Sequence, residues 1–125
     1  RDGGLFIFDS WFGPAVFHEP PADKIREVMS VGHRIIRLTR PEIDPINQCI
    51  AVNFTVLRFL DRQLVEEVFE PHVMRPLFVQ EVELLGKLNG LRLLNTCPFM
   101  NEDRKLSLND WNVCFVMQRD YRIDV

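Results

Sequence analysis

From Asn112 to the end of the chain, apolar and polar residues alternate. Val113, Phe115, Met117, Tyr121, Ile123 and Val125 share one parity, while Asn112, Gln118, Asp120, Arg122 and Asp124 share the other. Successive side chains of a strand point to opposite sides of a sheet, so the pattern predicts a strand with one buried and one wetted face. Arg119 on the apolar parity, and Cys114 and Val116 on the polar one, are its exceptions. A second strand is predicted at Leu5-Phe6-Ile7-Phe8, a short apolar run between Gly3-Gly4 and Asp9-Ser10, of the kind that is covered on both faces or by a helix. Residues 34–39, rich in β-branched side chains and ended by Arg40-Pro41, predict a third.

Helical spacing governs the middle. Pro20-Pro21 can open a helix, and one over 21–31 would place Ile25, Val28 and Met29 on one side before Gly32 stops it. Asp44-Pro45 supplies a capping carboxylate and a first-turn proline. From there Ile46, Ile50, Phe54, Leu57, Leu60, Leu64 and Val68 recur at spacings of 4, 4, 3, 3, 4 and 4, which predicts a long helix over 45–69. Val52, Val56, Phe59, Val65 and Phe69 would form a second apolar face, so such a helix needs cover on more than one side. A strand over 49–57 is the alternative, because that stretch is rich in strand formers. Arg75-Pro76 opens a further helix carrying Leu77, Phe78, Val82, Leu84, Leu85 and Leu88 as far as Asn89-Gly90. Residues 91–94 read as a short strand and 95–110 as polar loop, with 106–108 able to pair briefly. The expected fold class is α+β, a small mixed or antiparallel sheet packed against a long central helix and one or two shorter helices. A single domain over residues 1–125, cut from a longer protein because the chain starts at Arg1, is the matching expectation.

Composition narrows this only a little. The chain has 125 residues, 46% of them hydrophobic, enough for one core. The net charge of −3 gives no global attraction to nucleic acid or an anionic membrane. Cys49, Cys97 and Cys114 form no CxxC pair and are odd in number, which reads as reduced thiols. With no apolar run long enough to span a membrane and no signal peptide, the sequence suggests cytoplasmic or nuclear localisation and no membrane partner. Asn53-Phe54-Thr55 matches a glycosylation triplet by accident.

No nucleotide-binding glycine loop, GxSxG or HExxH occurs, and neither the histidines nor the cysteines have metal-ligand spacing, so no cofactor, metal or catalytic residue is assigned. His18, Glu19 and Asp23 do not make a metal site by spacing, and Cys49 sits too far into its expected helix for the dipole to activate it. Thirteen aromatic residues, several of them near proposed ends and loops, and the doubly apolar middle segment favour a non-enzymatic interaction or assembly module. It would form a homodimer or an obligate complex with a protein partner through the apolar helix face or the last strand. The expected interface residues are Val52, Val56, Leu57, Phe59, Leu64, Phe69, Phe78 and Trp11. One alternative is a nucleic-acid-binding module on the basic segment 24–40, with Arg34, Arg37 and Arg40 on phosphate. The other is a small metal-dependent hydrolase or nuclease centred on Asp9, a carboxylate at a strand's end.

Overall fold

The computed structural model describes residues 3–120. In chain order they form β1 (Leu5–Trp11), α1 (Gly13–His18), β2 (Lys24–Ser30), β3 (His33–Asp44), β4 (Cys49–Leu60), β5 (Gln63–Met74), α2 (Val79–Leu88), β6 (Leu91–Pro98) and β7 (Asn112–Arg119). Two compact units result. The first takes in residues up to Glu19 and from Pro76 onward, and the second is Pro20–Arg75.

In the first unit the sheet order is β1-β7-β6, with both pairings antiparallel, so β1 and β6 run in the same direction. The alternation in β7 does what its pattern predicts. Val113, Phe115 and Met117 are buried and pack with Phe12, Ala15 and Val82, and Phe115 stacks on Phe8 with ring centroids 5.1 Å apart. Cys114 and Val116 stand on the opposite face, with Gln118. The expected Tyr121, Ile123 and Val125 continuation lies outside the described residues. Of the two covers expected for β1 the one-sided cover by helices holds: Phe8 packs on the cluster with Ala15 and Val82, whereas Leu5 and Ile7 are each more than half exposed. α2 forms where the Arg75-Pro76 opening predicts a helix, held on one exposed side by Lys87 and Glu83 at 3.0 Å. Its buried positions are Val82 and Gly86, whereas the expected stripe residues Leu84, Leu85 and Leu88 are exposed.

The second unit is an antiparallel meander, β2-β3-β4-β5. This overturns the expected fold class: there is no long central helix, and residues 21–31 contain strand β2 rather than a helix. The physical reason is that the sheet carries apolar residues on both faces. In β4, Ile50, Val52, Phe54 and Val56 alternate with Ala51, Thr55, Leu57 and Phe59, so neither parity reads as polar and the period of two disappears. The spacings of three and four that remain are a coincidence of the arrangement. β-branched residues at six positions between 50 and 68 favour the extended chain.

Hairpin turns replace the expected helix interior. β4 and β5 are joined by Asp61-Arg62, both with positive φ (45° and 69°), the backbone that a two-residue hairpin of matching twist requires. Neither residue is glycine, so the usual signal is missing. Arg62→Gly should relieve the left-handed strain and raise the unfolding free energy by about 0.5–1 kcal/mol, read from a denaturant midpoint. Between β3 and β4, the Asp44 carboxylate accepts the N–H groups of Ile46 (3.1 Å) and Asn47 (3.0 Å), and also the Asn47 side-chain amide (2.7 Å). These bonds hold the carboxyl below its ordinary range, the Asn47 backbone N–H contributing most. Asp44 thus caps amides as predicted, but in a turn. No helix of the described residues is long and apolar enough to cross a membrane.

Candidate functional site

At one end of the first unit's sheet β1 and β6 finish and β7 begins. The chain is closely knitted there. The Phe12 N–H donates to the Trp111 carbonyl (2.6 Å), the Leu77 N–H to the Trp11 carbonyl (2.9 Å) and the Gly13 N–H to the Leu77 carbonyl (2.9 Å). The Ser10 hydroxyl donates to the Trp11 carbonyl at 3.0 Å. These bonds fix the rims of an aromatic corner in which the half-buried Trp11 and Trp111 rings lie 5.9 Å apart and tilted by 51°.

Alternation puts Ile7, Asp9 and Trp11 on the sheet face opposite the helix-covered core, and Cys114 and Val116 of β7 share that face. An open cavity of about 320 Å³ lies against it, lined by Ile7, Asn95, Cys97, Phe99, Cys114 and Val116 among others. Burial pushes the Cys114 thiol up, and the adjacent Cys97 adds to the shift.

The loop that follows β6 is held by one ionic knot. The Asp110 carboxylate pairs with the Arg104 guanidinium and accepts the Ser107 N–H (2.8 Å) and hydroxyl (2.8 Å). The Arg104 hydrogen bond is the leading cause that lowers the Asp110 carboxyl from 3.8 to about 2. Because the folded value is depressed, this support is present above about pH 4 and lost as pH falls towards 2. Replacing Arg104 by alanine should move the titration of Asp110, followed by carboxyl NMR shifts, part of the way back to 3.8, the Ser107 bonds retaining the rest.

The residues singled out from the sequence do not gather at this corner. Trp11 is in it. Phe78 stands at the start of α2, its ring stacked on Phe17 at 6.2 Å. In the second unit, Val52 and Val56 lie on one face of the meander, while Leu57, Phe59 and Phe69 lie on the other, with Leu64 opposite Phe59. The three arginines also divide. Arg34 and Arg40 share a face; Arg34 pairs with Glu27 at 2.7 Å and sits 5.9 Å from the Phe59 ring centroid. Arg37 points to the other face, 5.2 Å from the Phe54 ring centroid. Asp9 is exposed, and no group of three His, Cys, Asp or Glu side chains among the described residues is placed to hold a metal. A groove of about 600 Å³ near the 31–32 and 61–62 turns mixes Glu27 and Asp61 with Arg34 and Arg62, so it presents no field of one sign.

The Trp11–Trp111 corner was missed as a pair because its members are separated by almost the whole chain and meet only through the β1–β7 register. No family model matches the sequence, and no curated protein matches it. Solved structures do. An S-adenosylmethionine-dependent methyltransferase from Clostridium acetobutylicum superposes with a TM-score of 0.73 at 12% identity, covering 96% of this chain and 46% of that one. The CcbJ methyltransferase from Streptomyces caelestis gives 0.67 at 16% identity, covering 95% and 48%. The sugar N-methyltransferase KedS8 from Streptoalloteichus gives 0.69 at 13% identity, covering 94% and 42%. The chain therefore shares their fold and spans less than half the length of each. This likeness overturns the expectation of a non-enzymatic assembly scaffold, and neither the nucleic-acid-binding alternative nor the Asp9-centred hydrolase finds support in it.

Proposed function

We propose that this chain works in methyl transfer from S-adenosylmethionine, and that its part is on the side of the methyl acceptor. The observation that carries the reading is the superposition of 96% of the chain on a methyltransferase with a TM-score of 0.73.

The division of labour follows from what the described residues can hold. A bound sulfonium nucleoside needs a carboxylate for its ribose hydroxyls, free N–H groups for its amino-acid carboxylate, and a slot for its adenine. At the start of α1 the Gly13 and Val16 N–H groups are already engaged, by Leu77 and Phe12. No polar or charged side chain is buried among the described residues. What they offer at the strand ends is aromatic surface, from Trp11 and Trp111 with Phe99 nearby. Such surface suits an organic cation or the apolar face of a sugar ring. One of the structural neighbours, KedS8, is a sugar N-methyltransferase, and an amino sugar bound as its ammonium against an indole face, which gives up a proton to solvent before its nitrogen lone pair takes the methyl, is the acceptor chemistry that best fits the corner.

The test follows labelled methyl from S-adenosylmethionine into a panel of amino sugars, using the protein that carries this chain. Transfer is expected, and Trp11→Ala should raise KM for the acceptor about tenfold, the worth of one cation–π contact of about 1.4 kcal/mol, with cofactor affinity unchanged. Transfer with the same KM in the variant, or no labelled product from the panel, would count against the reading.

A further inference from the structure

We infer that Cys97 and Cys114 form a reversible dithiol site, which closes to a cross-strand disulfide by exchange with small-molecule disulfides. The site stands whether or not the chain works in methyl transfer.

The two residues are direct partners in the β6–β7 register. Opposite residues of an antiparallel pair project to the same side of the sheet, so both thiols meet on one face. The ladder sets their separation. The Phe99 N–H donates to the Asn112 carbonyl at 3.1 Å, which makes 99–112 a hydrogen-bonded pair. Two residues back along each strand, 97–114 is again such a pair, with its Cα atoms about 5.5 Å apart. Disulfides span Cα separations of about 4.4–6.8 Å, so the backbone can accept the bond. Their Cβ atoms prefer about 3.8 Å, closer than opposite strand residues usually stand, so closure draws the strands together. Strained bonds of that kind are the readily reduced ones.

Access is provided as well. The cavity of about 320 Å³ lined by Ile7, Phe99, Met100 and Val116 counts both Cys97 and Cys114 among its lining residues. Cys114 is the half-buried member and Cys97 is only 4% exposed, so Cys114 is the one an external disulfide meets first. Its thiolate attacks one sulfur of the reagent, forming a mixed disulfide and expelling one thiolate. Cys97, as thiolate, then attacks the Cys114 sulfur, the Cys97–Cys114 bond forms, and the second small thiolate leaves. The two protons given up by the cysteines end on the two small thiols, and the disulfide reagent is the oxidant that is reduced. Cys49 is the internal control: it lies in β4 of the other unit, and its thiol donates to the Asn47 carbonyl at 3.4 Å.

The test treats the folded protein with oxidised glutathione, alkylates the remaining thiols and digests with trypsin. Cleavage at Arg104 and Lys105 puts the two cysteines on separate peptides. The expected result is a linked 97–114 peptide pair that dithiothreitol separates, with Cys49 alkylated. In Cys97→Ser, Cys114 should stop at the glutathione adduct, a readout that needs only the thiol and survives any loss of stability. Both thiols remaining alkylatable, glutathione persisting on Cys114 of the unchanged protein, or a bond to Cys49 would each overturn the inference.

Discussion

Phe115→Ala should destabilise the first unit by about 3–5 kcal/mol, the usual cost of emptying a closed aromatic site. Phe115 is fully buried, stacks on Phe8 at 5.1 Å and shares a cluster with Phe12, Ala15, Val82, Val113 and Met117. Its neighbours are fixed on β1, α1, α2 and β7, so they collapse only in part into the gap and the cavity cost adds to the lost transfer energy. Urea unfolding of wild type and variant, followed by tryptophan emission, measures the difference. The same change at Phe69, which is 63% exposed, should cost well under half as much. Equal losses at the two positions would mean that the core is misplaced.

The second large effect is one of too little room. A Cβ added at Gly13 would lie 2.5 Å from two carbons of the Phe78 ring. Real Cβ contacts are longer, and the Phe78 ring is stacked on Phe17, which restricts its movement. Gly13→Ala should therefore cost about 1–3 kcal/mol through overpacking. It should also disturb the Gly13–Leu77 and Leu77–Trp11 backbone bonds that fix the strand end carrying Trp11. The combined variant Gly13→Ala with Phe78→Leu should recover part of the loss, since the smaller side chain vacates the contact, and thermal unfolding of the three proteins tests this. Failure of the second change to help would show that the clash is not with Phe78.

How much of this could be read from residues alone depended on which faces were apolar. β7 was legible from Asn112 onward because its two faces differ: Val113, Phe115 and Met117 against Asn112 and Gln118. α2 was legible because prolines, a glycine and a 3.6-residue period agree, although its exposed Leu84, Leu85 and Leu88 were not foreseen as solvent-facing. β4 was legible only as the alternative strand over 49–57, and β5 not at all, because both their faces are apolar and their turn, Asp61-Arg62, adopts positive φ without glycine. β2 was misread because it is an edge strand of exposed residues whose Ile25, Val28 and Met29 happen to fall at helical intervals. Of the candidate site only Trp11 was singled out, and as an interface residue rather than one of a pair. Its tryptophans are paired by tertiary register, and the fold it belongs to appears at 12–16% identity to the three structures compared.

The superposition that carries the methyl-transfer reading requires residues 49–74 to be a paired hairpin within an antiparallel sheet, and NMR contacts across that hairpin test the fold most directly. Strong interstrand NOEs are expected to join Val56 to Val68 and Thr55 to Phe69, register partners of β4 and β5. A ladder of contacts between residues three and four apart from Ile46 to Val68, with no interstrand signals, would contradict it.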